Sequence, residues 1–258
     1  MALVDLNATG LATLTKKEVM RFLNVLGQTV TAPVITALLY LLVFAHVLAG
    51  RAEVYPGVNY TQFLVPGLIM MSIIQNSFAN SSSSLIQSKI MGNLVFLLMA
   101  PLGALEWFAA YVCAALIRAG LVALVMLAVT APFVQLPLRE PLALLAMFLV
   151  SAGSLAVLGL IAGVIATKFD HLAAFTNFFI TPLSFLSGVF YSVHSLPAFW
   201  YTASHFNPFF YMIDGFRYGF FGAADVPILQ SLLWATLFFV ACSAVCLWML
   251  VSGYKLRH

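Results

Sequence analysis

The strongest constraint on this chain is a succession of apolar runs close to 20 residues long, separated by short polar or proline-bearing connections. A helix needs roughly 20 mainly apolar residues to cross a hydrocarbon core of ~30 Å, and backbone in lipid must satisfy its own hydrogen bonds. The chain therefore reads as a bundle of membrane-spanning helices. Composition agrees: 63% of the 258 residues are hydrophobic and 7% charged, with a mean hydropathy of +1.06, against about 25% charged in soluble domains. The ten-residue alternation of an outer-membrane barrel does not occur.

Six spans are predicted, at about 28 to 49, 62 to 82, 107 to 130, 142 to 166, 173 to 191 and 230 to 252. An even number places both ends on one side. With the termini in the cytoplasm, Lys16, Lys17, Arg21, Lys89, Lys168, Lys255 and Arg257 fall inside and Arg51, Arg139 and Arg217 outside, with Arg118 within a span. That asymmetry predicts an N-in, C-in orientation by the positive-inside rule. The start "MALVDLNATGLATLTKKEV" lacks the parts of a signal peptide and is expected to remain in the mature chain. Residues 11 to 27 put Val19, Phe22, Leu23 and Leu26 on one helical face and Lys17, Arg21, Asn24 and Gln28 on the other, the pattern of a helix lying in the interface.

Local features refine the map. Span four stacks Ala152, Ala156, Gly159 and Gly163 on one face, and the glycine pair predicts close helix approach within the monomer. The run "QNSFANSSSS", residues 75 to 84, either caps the helix where it leaves the bilayer or lines a hydrated path. Arg118, the cation inside a span, serves as an internal clamp or a contact for an anionic cargo, or it snorkels or pairs within the bundle, the reading the sequence favours. Cys113, Cys242 and Cys246 lie in apolar runs as packing residues, and without His or acidic companions they form no metal site.

Several function classes are excluded. A dispersed net charge of +3 gives no nucleic-acid patch. There is no G-x-x-x-x-G-K-[ST] loop, and the cytoplasmic connections, about 83 to 106 and 167 to 172, are far shorter than a nucleotide-binding domain. The chain is thus expected not to hydrolyse ATP. The spans also lack the chain of Asp, Glu or His that proton-coupled transporters use. "FLSG", with Ser187 before Gly188, resembles the nucleophile of six-span intramembrane proteases, but span six carries no His to act as base, and His194 and His205 lie elsewhere. They belong to residues 182 to 222, an aromatic stretch broken by Pro182, Gly188, Pro197, Pro208, Gly215, Gly219 and Gly222.

Four blocks together resemble the permease subunits of type-two ABC exporters, most closely the YadH-like inner-membrane permeases: "EVMRFLNVLGQTVTAPVITALLYLLVF", "YTQFLVPGLIMMSII", "TPLSFLSGVFYSVHSLPAFW" and "FNPFFYMIDGFRYGFFG". The likeness runs essentially end to end. It implies an all-α, six-span protein of the bacterial inner membrane, with residues 1–258 forming one transmembrane domain. Within it, residues 192–225 would form a pair of short re-entrant helices covering the outer end of the path. Phe199, Trp200, Tyr201, Phe209, Phe210 and Tyr211 would supply an interfacial belt. Gly188, Pro197, Trp200, Pro208, Phe209, Tyr211 and Arg217 are the outer-gate candidates, the alternative being a stabilising cap without gating.

The same likeness makes residues 83–106 a coupling loop that docks on an ATPase, through Lys89, Gly92, Asn93, Phe96, Leu97, Pro101 and Glu106. Lys16, Lys17 and Arg21 of the interfacial helix would add a second contact. Many relatives carry acidic residues where this chain has Val95 and Phe96, so docking here is expected to be apolar, through Phe96, Leu97 and Leu98. Gln75, Asn76, Asn80, Arg118, Asn177 and Ser184 are the path candidates. The implied assembly pairs two permeases with two copies of an ABC ATPase. ATP and magnesium would sit on the ATPase, with no cofactor or metal on this chain. Cargo would be an amphiphile such as a drug, lipid or glycan carrier, exported from the cytoplasm or inner leaflet. The competing readings are an ATP-independent secondary transporter or channel, and a structural scaffold.

Overall fold

A helix leaves its first N–H groups without intrahelical partners, and the side chains that satisfy them mark where this fold begins. The computed structural model describes residues 7–47 and 54–255. Asn7 Oδ1 accepts from the Gly10 N–H at 2.9 Å and opens α1 (Ala8–Leu23), after which a tight turn leads into α2 (Leu26–Val47). Asn59 and Gln62 form a reciprocal capping box at the start of α3 (Tyr60–Ile90). A one-and-a-half-turn helix, α4 (Leu94–Met99), joins it to α5 (Ala104–Thr130), and Pro141 opens α6 (Pro141–Ile165). Next come α7 (Phe169–Phe175), a π turn at Thr176–Ile180 and α8 (Thr181–Phe185). A 3₁₀ turn at Val193–Ser195 leads to α9 (Ala198–His205), α10 (Pro208–Phe221) and α11 (Ile228–Ser252). Among the described residues there is no strand, only a bridge between Tyr55 and Val58.

Five helices among the described residues are long and apolar enough to cross a membrane: Leu26–Phe44, α3, α5, α6 and α11. The segment expected as span five differs. Instead of one helix over 173 to 191 it is three consecutive pieces of 7, 5 and 5 residues from Phe169 to Phe185, a length of about 25 Å at ~1.5 Å per residue. Pro182 has no N–H to give to the preceding turn, the backbone widens into the π turn just before it, and Gly188, at φ +74°, turns the chain away. Span two also corrects: α3 continues past 82 to Ile90. Its serines do not end it. Ser82 Oγ donates back to the Phe78 carbonyl at 2.8 Å within the helix.

α3 is the central element, enclosed by α6, α5, α10 and α2. Its tightest contact is with α6. A Cβ on Gly159 would lie 2.4 Å from the Phe78 carbonyl oxygen, and one on Gly163 would lie 3.2 Å from that of Ser82, so the glycine pair is spent within this monomer. α1 lies along α5, buried through Leu14, Glu18 and Phe22. This stripe replaces the expected face of Val19, Phe22, Leu23 and Leu26, and Leu23 is exposed.

Both described chain ends lie at one end of the bundle. Asn7 Nδ2 donates to the Pro101 carbonyl at 3.2 Å, and Lys255 lines a cavity with Lys89. We call this the basic end. At the opposite end the Arg139 guanidinium donates to the Phe221 carbonyl at 3.2 Å, covering the last turn of α10. Arg51 and Arg257, on which the charge asymmetry draws, lie outside the described residues.

Candidate functional site

At the basic end, α4 divides its apolar residues. Leu94 is buried and Leu97 and Leu98 pack against the core of α5 and α6, while Val95, Phe96 and Met99 are 58%, 74% and 76% exposed. Of the three residues expected to dock, Phe96 is exposed, whereas Leu97 and Leu98 are partly buried against the core; Val95 and Met99 stand exposed beside Phe96. Gly92 (φ +72°) and Asn93 are exposed in the turn before α4, and Pro101 in the turn after it. Lys89 Nζ instead reaches the Val164 and Ala166 carbonyls at the end of α6, a cation on orphan helix acceptors. Glu106 is buried. It accepts from the Asn7 N–H at 2.6 Å and from the Gly103 N–H, tying the starts of α1 and α5 together. Lys16 and Lys17 are exposed, but Arg21 turns inward.

A polar seam runs between α1, α3 and α5. Glu18, fully buried, receives Lys17 Nζ at 2.9 Å and Arg21 Nε at 3.1 Å. Arg21 Nη2 also donates to the Asn80 carbonyl at 2.7 Å and to its Oδ1 at 3.1 Å. Further along α3, Asn76 Oδ1 accepts from Arg118 Nε and Nη2 at 3.3 and 3.2 Å. Gln75 and Asn76 also line two grooves, one between α2 and α3 of about 200 Å³ and one between α3 and the π turn of about 250 Å³. Asn80 and Ser184 are fully buried, Ser184 Oγ donating to the Ile180 carbonyl at 2.7 Å. Asn177 is exposed on the π turn.

At the opposite end a carboxylate gathers the loops. Asp225 accepts from Tyr55 Oη at 2.9 Å, Ser192 Oγ at 2.7 Å and the Val193 N–H at 2.8 Å. Its own N–H donates to Asp214 Oδ1 at 2.8 Å. Burial, against a smaller opposing pull from Arg217, pushes the Tyr55 phenol above its usual range. Arg217 is 1% exposed: its guanidinium carbon stands 3.6 Å over the Phe63 ring, and Nη2 donates to the Gly188 carbonyl at 2.9 Å. It lies at the end opposite the described chain ends, as an interior clamp and not an exposed charge. The expected aromatic belt corrects in the same way. Phe199 and Trp200 of α9 are exposed, whereas Phe209, Phe210 and Tyr211 are buried, because Asn207 caps a proline-started α10 that runs into the bundle. Tyr211 stacks on Trp234 and donates to the His205 carbonyl at 2.9 Å.

Comparison with known proteins decides the family. Residues 9–221 match the ABC-2 type transporter family. The chain is 38% identical over 241 residues, 93% of its length, to the inner membrane transport permease YadH of Escherichia coli K12 and of Shigella flexneri, covering 94% of each. It is 27% identical over 187 residues, 72% of its length, to the "Probable multidrug ABC transporter permease YbhR" of Escherichia coli K12, covering 51% of that protein. The chain belongs to the ABC-2 type transporter family.

This ABC-2 permease is therefore the membrane component of an ABC transporter, a class whose ATPase is a separate partner. Its matched region takes in α1, α4, the seam and the Arg217 clamp, and ends with α10. Of the acidic members of the site, sequence reading picked out Glu106 and missed Glu18, Asp214 and Asp225. Glu18 carried a signal, since "KKEVMR" puts it beside Lys17 and three residues before Arg21, a spacing at which helical side chains meet. Asp225 and Tyr55 carried none, being 170 residues apart.

Proposed function

We propose that this permease is one half of an ATP-driven exporter of the inner membrane, in which two copies pair and an ABC ATPase docks on the basic end of each. The observation that carries this reading is α4. A helix anchored by Leu94, Leu97 and Leu98 holds three large apolar side chains outward, at the end bearing Lys16, Lys17 and Lys255. An apolar patch with a charged rim is what a protein partner covers. Helix α4 would be the coupling element, turning ATPase closure into rigid-body motion of the spans. In this reading the helical stretch Phe169–Phe185 is a short fifth crossing, giving six spans with both ends in the cytoplasm. The α9–α10 pair is the re-entrant outer gate, and the grooves flanking Gln75 and Asn76 belong to the path of an amphiphilic cargo moving outward. ATP and magnesium belong to the ATPase.

The test is co-purification with an ABC ATPase, followed by ATPase assays in reconstituted vesicles. Phe96→Glu should cut permease-dependent ATPase stimulation by roughly tenfold, the scale of a buried aromatic anchor, while the permease melts like the wild type. Full stimulation with a glutamate at this position would refute α4 as the coupling element.

A further inference from the structure

Arg118 is a cation whose partners supply no negative charge. Its bonds go to the neutral Asn76 amide oxygen, and among the described residues it forms no ion pair. The other charge acting on it is a second cation, Arg21. The one carboxylate of the seam, Glu18, is fully buried and already shared between Lys17 and Arg21. Of the cations at the seam, Lys17 is exposed, Arg21 is paired with Glu18, and Arg118 has no carboxylate partner. A guanidinium without a counter-charge in a membrane bundle is expensive, and such residues face interior partners, water or a ligand path.

Space for an anion lies beyond its partner: Arg118 is not among the residues that line the groove, and Asn76 links the two. Asn76, which holds Arg118, stands in the wall of the groove between α2 and α3, with the polar groups of Thr36, Tyr40, Ser72 and Gln75 and the apolar faces of Leu68 and Met71. At about 200 Å³ the groove falls below the roughly 300 Å³ at which drug-sized pockets begin. It takes a headgroup, not a whole amphiphile. Polar and apolar walls together also suit a molecule with one charged end and one greasy end better than a free ion.

We propose that this groove binds the anionic headgroup, phosphate or carboxylate, of an amphiphile, held at Asn76 and charge-matched by the Arg118 guanidinium bonded to that residue, with its hydrocarbon chain left in the bilayer. The proposal gives the exporter's path a preference for negatively charged cargo, and as a statement about cargo it rests on that reading.

Binding is measured on the purified full chain in neutral detergent by native mass spectrometry, with lysophosphatidylglycerol, lysophosphatidylcholine and inorganic phosphate as probes. The wild type should retain lysophosphatidylglycerol about tenfold better than lysophosphatidylcholine, the scale of one charge-assisted hydrogen bond, and phosphate should not displace it. Arg118→Gln should erase the preference and Arg118→Lys should keep most of it. Thr36→Phe, which fills the groove with Arg118 intact, should weaken lysophosphatidylglycerol binding to the level of Arg118→Gln and serves as the probe if that variant does not fold. Equal retention of the two lipids by the wild type, or a preference surviving Arg118→Gln or Thr36→Phe, overturns the site. Displacement by phosphate overturns the amphiphile. No ATPase enters this measurement, so the two readings fail separately. A lipid preference without a co-purifying ATPase removes only the exporter, and an ATPase without the preference removes only the headgroup site.

Discussion

Gly159→Ala probes the contact on which the bundle is built. In a helix interior this change ordinarily stabilises by about 1 kcal/mol, since glycine is the poorer helix former. Here the added methyl carbon would lie 2.4 Å from the Phe78 carbonyl oxygen and 3.2 Å from its carbonyl and α carbons, all backbone atoms that no rotamer change moves. Ordinary contact begins near 3.4 Å, so α3 and α6 must separate by about 1 Å, loosening the neighbouring contact of Gly163 with Leu85 as well. Overpacking of a rigid core costs typically 1–3 kcal/mol; less the propensity gain, the net loss is about 0–2 kcal/mol, and contact with unyielding backbone puts this site toward the upper end. Gly120→Ala is the control, because its nearest atom is the Phe148 Cζ at 3.4 Å, the end of a side chain, and propensity should prevail there. Thermal unfolding of the purified permease in one detergent reads both. Gly159→Ala should melt below the wild type and Gly120→Ala at or above it. A Gly159→Ala protein as stable as Gly120→Ala would refute the close α3–α6 approach.

Two further changes test the ends. Asp225→Ala strands three donors, the Tyr55 and Ser192 hydroxyls and the Val193 N–H, at about 1–3 kcal/mol each where burial is complete; limited proteolysis should cut residues 188–197 faster, and an unchanged cutting rate would count against the latch. Glu106→Ala removes an acceptor from the Asn7 and Gly103 N–H groups, a loss of about 1 kcal/mol per cap. Hydrogen exchange should then quicken at the starts of α1 and α5 together, and quickening at α5 alone would show that the two helices are not joined through this carboxylate.

The bilayer made much of this fold legible. The expected spans 107–130, 142–166 and 230–252 match α5, α6 and α11 to within three residues at each end, because a lipid-facing helix must be apolar for the whole thickness it crosses. Reading by hydropathy failed where protein replaces lipid. The run 75–84 offered a boundary or a wet lining; α3 continues through it to Ile90, so it is no boundary, while Gln75 and Asn76 line grooves and Ser82 bonds within its own helix. Aromatic residues misled likewise: Phe209, Phe210 and Tyr211 have the composition of an interfacial belt, but α10 packs against α3, α6 and α11 and buries them. In the seam, Arg118 and Asn76 were each conspicuous alone, but their pairing spans 42 residues and required the helices to be placed.

α3 connects all the parts of the site. It is continuous over 31 residues, about 46 Å at ~1.5 Å per residue. One end leads through Gly92 and Asn93 into α4; the middle carries Asn76 beside Arg118; and the far end carries Phe63 under the Arg217 guanidinium. A helix transmits displacement along its axis because its hydrogen bonds run that way, whereas sliding against neighbours costs little where the facing side chains are small. Residues 81–84 of α3 are all serine, and it meets α6 backbone to backbone at Gly159, with the Leu85 side chain also against Gly163. In the proposed exporter, a push on Phe96 would therefore arrive at the groove and at the Arg217 clamp as one rigid movement. Crosslinking α3 to α6 through Ser82→Cys and Gly163→Cys should then abolish permease-dependent ATPase stimulation while ATPase binding persists. Full stimulation in the crosslinked protein would show that α3 moves with α6, and that the lever lies elsewhere.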